Sequence, residues 1–221
     1  MSDVKLISTT EGAGDLIGRS AQDIVAYVAR VSNPNNQMSF ETGAKLIKYC
    51  ITHQHWSIFE HAYVTMEIKT SRAIAAQILR HRSFTFQEFS QRYAAAHNVI
   101  KYPARRQDLK NRQNSVDDMS QHDRDWFDLA QQRVWDLAKT LYDEALEKGI
   151  AKEQARFLLP LNTETTIYMS GSLRSWIHYI QLRASNGTQK EHMDIAVAAK
   201  GIIGERFPDV AMALGWKEES K

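Results

Sequence analysis

The sequence has almost no cysteine, because Cys50 stands alone among 221 residues. A disulfide framework is therefore excluded, as is usual for proteins of reducing compartments. No apolar run is long enough to span a bilayer, and no charged and then apolar leader follows Met1. These absences predict an intracellular, soluble and cytoplasmic protein with no membrane partner.

The chain also lacks a wide excess of positive charge. Its formal net charge is +2, whereas proteins that coat nucleic acid without specificity usually carry a broad basic surface. A confined anionic ligand suits this balance better. No Gly-x-Gly-x-x-Gly or phosphate-loop glycine run is present, so a Rossmann or P-loop nucleotide site is not expected.

What is present indicates a mixed fold. With 43% hydrophobic residues, a chain of this length can bury one proper core. Residues 62–69 alternate apolar and polar side chains, the period of a half-buried strand, and residues 4–9 and 163–169 also read as strands. Helical patterns alternate with these strands and no period repeats. We expect an α/β (α+β) fold: a single domain over residues 1–221, mostly helical around a small, largely antiparallel sheet.

Several helices have recognisable starts. Thr70 and Ser71 can cap a helix from residue 72 to about residue 80, and residues 188–191 have capping-box spacing before a last helix. Residues 20–32, 40–52 and 172–182 are also predicted to be helical.

The strongest helix prediction covers residues 126–148. Its apolar residues form one stripe that is expected to be buried: Phe127, Ala130, Val134, Leu137, Leu141 and Ala145. The polar residues 107–125 before it are expected to form an exposed excursion.

The most informative stretch is residues 80–92. It holds three arginines, a histidine, one carboxylate and several hydroxyl or amide groups, which would be costly to desolvate without an anionic, polar partner. Interleaved aromatic residues suit a flat ring that carries a phosphate. The alternative is an ion-paired helix end in which Glu88 matches Arg92, since charge runs are usually solvated faces. The pattern leaves open whether the chain is helical or extended between Arg80 and Arg82.

A metal site and a nucleophile are two further alternatives. Three histidines lie close together, but their spacing matches no metal motif, so structural or substrate-positioning roles are favoured and no metal is expected: His53, His55 and His61. Cys50 lies on an apolar helical stripe, where burial raises the pKa of a thiol and lowers its reactivity. Ser90 has no obvious histidine base, so we expect it to act as a hydrogen-bonding group.

The stretch also resembles a known family. Arg80, His81 and Arg82, followed after seven residues by Ser90, match the signature of the flavin-dependent thymidylate synthases, and Arg92 falls at the arginine of its longer form. Other stretches resemble the family in the right order: residues 29–32, 55–61, 156–162, 172–174 and 182–184. The resemblance covers nearly the whole chain, except the polar stretch after Arg106 and the last residues.

The resemblance implies an activity and an assembly. Members of the family make dTMP from dUMP, with 5,10-methylenetetrahydrofolate as carbon source, NADPH as reductant and FAD as hydride carrier. They use no enzyme cysteine as nucleophile, which agrees with the single Cys50. Their sites are assembled between the subunits of a homotetramer.

The resemblance also implies site residues. The expected FAD contacts are Ser32, Ser57, Arg80, His81, Arg82, Glu88, Ser172, Arg174, His178 and Leu182. The expected dUMP site comprises Gln77, Ile78, Leu79, Arg80, Glu88, Phe89, Ser90, Gln91, Arg92, Arg156 and Arg183. Arg183 is the expected catalytic residue, because a fixed guanidinium favours the anionic form of the uracil ring and makes its C5 nucleophilic.

Five positions depart from the pattern of the family. Thr85 and Gln87 replace a frequent serine and asparagine and keep the hydrogen-bonding type. Gln91 replaces a frequent glycine and adds bulk beside the phosphate site, while His178 replaces a frequent asparagine and can still donate or accept. Gly187 stands where some members have a histidine that touches the flavin.

Two functions of other classes stay open. A regulator that binds flavin or nucleotide without turnover would keep residues 80–92 and make no dTMP. An RNA-binding module would use the same arginines and aromatic residues on single strands, with an affinity that falls steeply with salt and with no yellow cofactor.

Overall fold

The computed structural model describes residues 3–217 of the chain. Its strands are β1 (Asp3–Thr9), β2 (Tyr63–Ser71), β3 (Thr85–Glu88), β4 (Arg106–Gln107), β5 (Ser115–Val116) and β6 (Glu164–Ser172). Its α-helices are α1 (Ala21–Ala29), α2 (Gly43–Thr52), α3 (Arg72–Ile78), α4 (Gln121–Glu147), α5 (Lys152–Ala155), α6 (Leu173–Arg183), α7 (Lys190–Arg206) and α8 (Pro208–Ala213). Short 3-10 turns cover Gly14–Leu16, Pro34–Asn36, Trp56–His61 and Arg156–Leu158.

Four strands form the main sheet in the order β1-β2-β6-β3, and each of its pairings is antiparallel. This confirms the predicted mixed fold with a small antiparallel sheet. β2 and β6 pair along their full lengths at the centre. β3 pairs with the outer side of β6, so part of residues 80–92 becomes an edge strand. β4 and β5 form a separate hairpin.

The core lies between the central strands and the helices. Val64, Met66 and Ile68 alternate with more exposed neighbours along β2, and all three are buried. Trp176 of α6 is fully buried against this face, and its indole N–H donates to the Val64 carbonyl at 3.0 Å. Each buried aliphatic or aromatic side chain of this kind contributes roughly 1.5–3 kcal/mol. The central strands and α6 therefore form a rigid support for residues near the sheet edge.

Both central strands pass directly into a helix through a serine cap. The Ser71 Oγ accepts the Ile74 N–H at 3.4 Å, as predicted, and the Ser172 Oγ accepts the Ser175 N–H at 3.3 Å. The predicted capping box at residues 188–191 is wrong, because α7 begins after Gln189 and its side chain makes no cap bond.

The helix α4 exists as predicted but begins five residues early. The Ser120 Oγ accepts the Asp123 N–H at 3.2 Å, and this cap starts the helix at Gln121. The prediction that its apolar stripe is buried is wrong for most members: Phe127, Val134, Leu137 and Leu141 are exposed. The buried residues of the helix are Trp135, Ala138, Tyr142 and Ala145, and of these only Ala145 belongs to the predicted stripe. Tyr142 and Ala145 pack with Ala155 of α5.

Other boundaries also differ from the predictions. α1 and α2 are shorter than residues 20–32 and 40–52, because 3-10 and hydrogen-bonded turns replace the expected helix ends. α8 was not predicted. Residues 107–125 are mostly exposed, as expected, but together with Arg106 they form the β4–β5 hairpin, which the Arg106–Asp118 ion pair closes. Among residues 3–217, no helix combines the length and the apolarity that a membrane crossing requires.

Candidate functional site

The chain between α3 and β3 is a turn, which settles the question left open by the sequence. The His81 N–H donates to the Ile78 carbonyl at 3.1 Å, and the Phe84 N–H donates to the His81 carbonyl at 3.2 Å. Arg80 and Arg82 are exposed, and neither makes an ion pair with another residue in the range 3–217. The turn therefore offers two uncommitted cations at the surface.

Phe84 anchors this turn to the core. Its ring is buried and meets Trp176 edge to face, with 4.9 Å between ring centroids. The ring also lies over Gly171 of β6, where a Cβ would come within 2.5 Å of the Phe84 Cδ1. The glycine therefore allows the approach that fixes the position of residues 80–84.

The predicted catalytic arginine meets the motif directly. Arg183 is the last residue of α6, and its Nε donates to the His81 Nε2 at 3.0 Å. Both side chains are partly buried. The two Nη nitrogens of Arg183 make no hydrogen bond to any described residue. The fold thus joins two residues that are 102 positions apart and leaves the guanidinium fork open.

A buried pair lies beneath His81. The Tyr179 ring meets the His81 ring edge to face at 4.9 Å, and the Tyr179 hydroxyl is 3.1 Å from the His192 Nε2. His192 is fully buried, and its Nδ1 has no hydrogen-bond partner among the described residues. The sequence reasoning missed His192. The sequence does hold a signal that His192 is buried, because it lies three and seven residues before the buried Ile195 and Ala199, on the same face of α7.

Burial and neighbouring cations keep both imidazoles neutral. Burial lowers the pKa of His81, and Arg183 and Arg80 lower it further. Burial, with smaller effects of Arg183 and His81, lowers the pKa of His192 to about 4. Burial raises the pKa of Tyr179. At pH 7 the cluster therefore holds one fixed charge, on Arg183, beside two neutral imidazoles.

Glu88 is held by Arg72 of α3 and Thr165 of β6, and not by Arg92. The Arg72 Nη1 donates to the Glu88 Oε1 at 2.7 Å, and the Thr165 hydroxyl donates to the same oxygen at 2.9 Å. Arg92 pairs instead with Glu153 at 3.2 Å. The alternative of a helix end with a Glu88–Arg92 pair is therefore wrong.

The residues after β3 line a small cavity. Gln91 is 4% exposed, and its amide nitrogen has no partner among the described residues. It lines a cavity of about 250 Å³ together with Arg72, Arg156 and Thr163. Ser90 lies next to it, partly buried, and its hydroxyl accepts the Arg92 N–H at 3.4 Å. The structure thus places Gln91 and Arg156, two residues of the predicted substrate site, in the wall of one cavity, with Ser90 next to Gln91 in the chain.

The predicted residues of α3 lie at the start of the turn. The Gln77 amide nitrogen donates to the Gln189 Oε1 at 2.6 Å, which ties α3 to the segment before α7. Ile78 is buried, while Leu79 and Phe89 are partly exposed at 36% and 38%.

Three predicted cofactor residues lie on one surface of α6 and the 3-10 turn Trp56–His61. The Arg174 Nη1 pairs with Glu60 at 3.1 Å, and the His178 ring lies 5.8 Å from the Trp56 ring. Ser57 is exposed in the same turn. Leu182 is exposed at 56%, one residue before Arg183.

Two predicted residues have distinct surroundings. Ser172 is 3% exposed, and its hydroxyl is used in the cap of α6. Ser32 lines a separate cavity of about 470 Å³ with Arg30, Thr42 and Lys45. The buried Arg30 donates through Nη2 to the Thr42 hydroxyl at 2.7 Å, and its Nη1 has no partner within residues 3–217.

The residues considered for a metal site or a nucleophile pack against other side chains of the fold. His53 stacks on Tyr49 at 4.0 Å between centroids, and His55 meets the same ring at 5.9 Å. No group of three or more histidine, cysteine, aspartate or glutamate residues in the described range could hold a metal ion. Cys50 is buried and burial raises the pKa of its thiol, which confirms the expected packing role.

Comparisons with known proteins match nearly the whole chain. The family model described as thymidylate synthase complementing protein matches residues 6–209. A probable flavin-dependent thymidylate synthase of Paramecium bursaria Chlorella virus 1 is 56% identical over 216 residues, which cover 96% of this chain and 98% of that protein. The flavin-dependent thymidylate synthase of Synechocystis sp. is 54% identical over 216 residues, with coverage of 97% and 100%.

One solved structure shows the same fold at lower identity. The UMP/dUMP methylase PolB from Streptomyces cacaoi, bound with 5-Br dUMP, superposes with a TM-score of 0.83 at 22% identity. The match covers 98% of this chain and 95% of that one. The architecture of the sheet and its helices is therefore shared with that protein.

Proposed function

We infer that this chain, which belongs to the thymidylate synthase complementing protein family and so to the flavin-dependent thymidylate synthases, methylates dUMP to dTMP with FAD as its cofactor. The observation that carries this proposal is the hydrogen bond from the Arg183 Nε to the His81 Nε2. It joins the expected catalytic residue to the motif expected to bind the flavin. The 54% and 56% identities to named relatives support the same activity.

The surface chemistry of the chain fits an anionic dinucleotide. Arg80 and Arg82 are exposed without ion pairs in the described range, and the buried Arg30 has a free Nη1 beside Ser32. The buried Arg30 Nη1 favours an anionic oxygen, because this desolvated donor otherwise stays unpaired, and the exposed Arg80 and Arg82 add positive charge at the surface. We assign Arg80, Arg82 and Ser32 to FAD on this ground, with Ser57, Arg174 and His178 on the adjoining surface. When bound, FAD would carry the hydride, and NADPH is the proposed reductant.

The dUMP phosphate is assigned to the segment after β3. The Ser90 hydroxyl, the backbone N–H of Gln91 and the Arg156 guanidinium are donors in or next to the cavity of about 250 Å³. Each charge-assisted hydrogen bond contributes roughly 1.5–3 kcal/mol. Glu88 lies between this segment and the turn at residues 80–84, fixed by Arg72 and Thr165.

Arg183 is assigned to the uracil ring. A permanently charged guanidinium against N3 and its neighbouring carbonyl stabilises the anionic ring, which makes C5 a carbon nucleophile. Its fork is open and its Nε is fixed by His81. The carbon unit comes, in this proposal, from 5,10-methylenetetrahydrofolate.

We also propose that residues 1–221 act as one domain within a homotetramer. The exposed apolar stripe of α4 supports the assembly, because Leu137 is 64% exposed and Val134 is 55% exposed beside it. Contiguous exposed apolar surface of this kind marks interaction sites in folded proteins. In the homotetramer, neighbouring subunits complete each site.

The direct test is the colour of the purified protein. We expect an oxidised-flavin absorption band that NADPH bleaches faster when dUMP is present. Deoxyuridine, which lacks the phosphate, is the matched control and should not accelerate the bleaching. A colourless protein that cannot be reconstituted with FAD would falsify the proposal.

A further inference from the structure

We propose that His81 is a positioning residue for Arg183: its neutral imidazole accepts the Arg183 Nε–H and so leaves both Nη nitrogens for the pyrimidine. This inference rests on the role proposed above for Arg183 and adds a second role for His81 beside flavin contact. The geometric basis is the 3.0 Å hydrogen bond, in which the guanidinium N–H is the donor. A guanidinium has no acceptor, so the His81 Nε2 must present its lone pair.

The hydrogen bond fixes the tautomer of His81. A neutral imidazole whose Nε2 accepts must carry its proton on Nδ1. A protonated ring would lose the acceptor and would place a second positive charge against Arg183. The arrangement therefore works only with a neutral His81.

Every element packed around His81 favours that neutral state. Arg80 precedes it in the turn, Arg183 and Tyr179 face it from α6, and His192 faces it from α7. Two of these groups are cations and the other two are neutral at pH 7. No carboxylate contributes to the shift of the His81 pKa, which burial, Arg183 and Arg80 all lower.

The buried pair fixes the plane of the His81 ring. Tyr179 and His192 both meet this ring nearly at right angles, at 87° and 81° between planes. Their own hydrogen bond of 3.1 Å holds them together. These contacts hold the plane of the ring, and the hydrogen bond to Arg183 selects the edge of the ring that carries Nε2.

Arg183 requires such support because of its place in the fold. It is the final residue of α6, and its long side chain reaches out to the turn. Ordering a flexible side chain before the reaction removes that entropic cost from the chemical step. His81 thus acts on the substrate through Arg183.

Nitrogen NMR of ligand-free protein with 15N-labelled histidine tests this without turnover. His81→Gln identifies the His81 signals by their loss. At pH 7 we expect a neutral ring with the proton on Nδ1 and the lone pair on Nε2. A charged ring, or a proton on Nε2, would overturn the proposal whether or not the protein makes dTMP.

Two variants separate positioning from simple packing. His81→Gln keeps an acceptor at a reach similar to that of Nε2 but does not titrate, whereas His81→Leu has no acceptor. In the wild type, kcat should fall at acid pH, in a range below the ordinary pKa of an imidazole, because His81 becomes charged there. We expect His81→Gln to lack this acid limb, and His81→Leu to lose at least tenfold in kcat with a smaller change in KM for dUMP. An unchanged acid limb in His81→Gln would contradict the proposal.

Discussion

At the scale of single residues, the proposed chemistry depends on the Arg183 guanidinium and on what surrounds it. Its charge is permanent and its Nε is committed to His81, so in the proposed site the two open Nη nitrogens are the donors left for the pyrimidine. The buried His192 and Tyr179 carry no charge at pH 7 and shape the environment of His81. Changes to these side chains should therefore have different measurable effects, on turnover for Arg183 and on stability at acid pH for His192.

The substitution Arg183→Lys keeps the charge and removes the planar fork. Loss of a donor aimed at developing charge costs about 10²- to 10³-fold in kcat, so we expect a decrease of that order while the flavin band stays. Steady-state dTMP formation and the absorption spectrum measure the two effects. Arg206→Lys on α7 is the control and should behave as the wild type. Near-normal turnover of Arg183→Lys would remove Arg183 from its catalytic role.

His192 should make the folded protein sensitive to acid. Its pKa is about 4 in the fold and 6.5 when exposed, so between these values the unfolded state binds the additional proton. Stability is thus lost as the pH falls through this window. From pH 7 to pH 5 the single group should lower the free energy of unfolding by about 2 kcal/mol.

Denaturant unfolding of His192→Gln and of the wild type, at equal protein concentration, measures how much His192 lowers the free energy of unfolding at acid pH. The amide can still bond the Tyr179 hydroxyl but does not titrate, so the variant should show a shallower decline between pH 7 and pH 5. Above pH 7 the two slopes should agree. Parallel curves at acid pH would show that His192 does not carry the proton linkage.

The sequence predicts residues that act through a local motif far better than residues that act through packing. Arg80, His81 and Ser90 stand in one short, fixed pattern, so their roles could be proposed without a structure. His192 belongs to no motif, and its contact with Tyr179 exists only after α6 and α7 pack together. The unpartnered Gln91 amide depends in the same way on the cavity wall that Arg156 completes.

At the scale of elements, two strand-to-helix junctions determine where His81 and Arg183 lie. β2 continues into α3 through Ser71, and β6 continues into α6 through Ser172. α3 leads into the turn that carries His81, and α6 ends at Arg183. The caps and the strand periods are local signals, so these elements were predicted. β3 was not, because a four-residue edge strand is stabilised by its pairing with β6 and carries little pattern of its own.

Gly171→Ala tests the fixed position of the turn. The added Cβ would lie 2.5 Å from the Phe84 ring, which is buried and must move. Overpacking of this kind costs about 1–3 kcal/mol, and we expect a lower melting temperature together with weaker dUMP binding. Gly201→Ala in α7 is the control, since its Cβ meets nothing within 4 Å. That control should be stabilised by about 0.5–1 kcal/mol through helix propensity. A Gly171→Ala protein as stable as the wild type would contradict the close packing.

At the scale of the whole molecule, α4 shows where sequence reasoning about burial failed. Its apolar stripe has the helical period of a buried face, and the pattern was read correctly as a helix. The described chain nevertheless covers only the neighbouring set at Trp135, Ala138 and Tyr142. A period of 3.6 residues indicates that a face is buried, but it does not say whether the same chain or another copy buries it.

Leu137→Glu tests the homotetramer. A carboxylate on a stripe between subunits would be desolvated without a partner, which is strongly unfavourable. We expect the molar mass by light scattering to fall below that of four chains, with loss of bound flavin if subunits share the site. Asp136→Lys, one residue away on α4, should leave the mass unchanged. A tetramer that persists in Leu137→Glu would place the interface elsewhere.

The most direct measurement of the central claim is dTMP formation by the purified protein. With dUMP, 5,10-methylenetetrahydrofolate, FAD and NADPH all present, we predict dTMP as the product, identified by mass spectrometry. Omission of the folate or of NADPH should abolish the product, and Arg183→Lys should lower its rate of formation by about 10²- to 10³-fold. A flavin-loaded protein that receives every substrate and makes no dTMP would contradict the account.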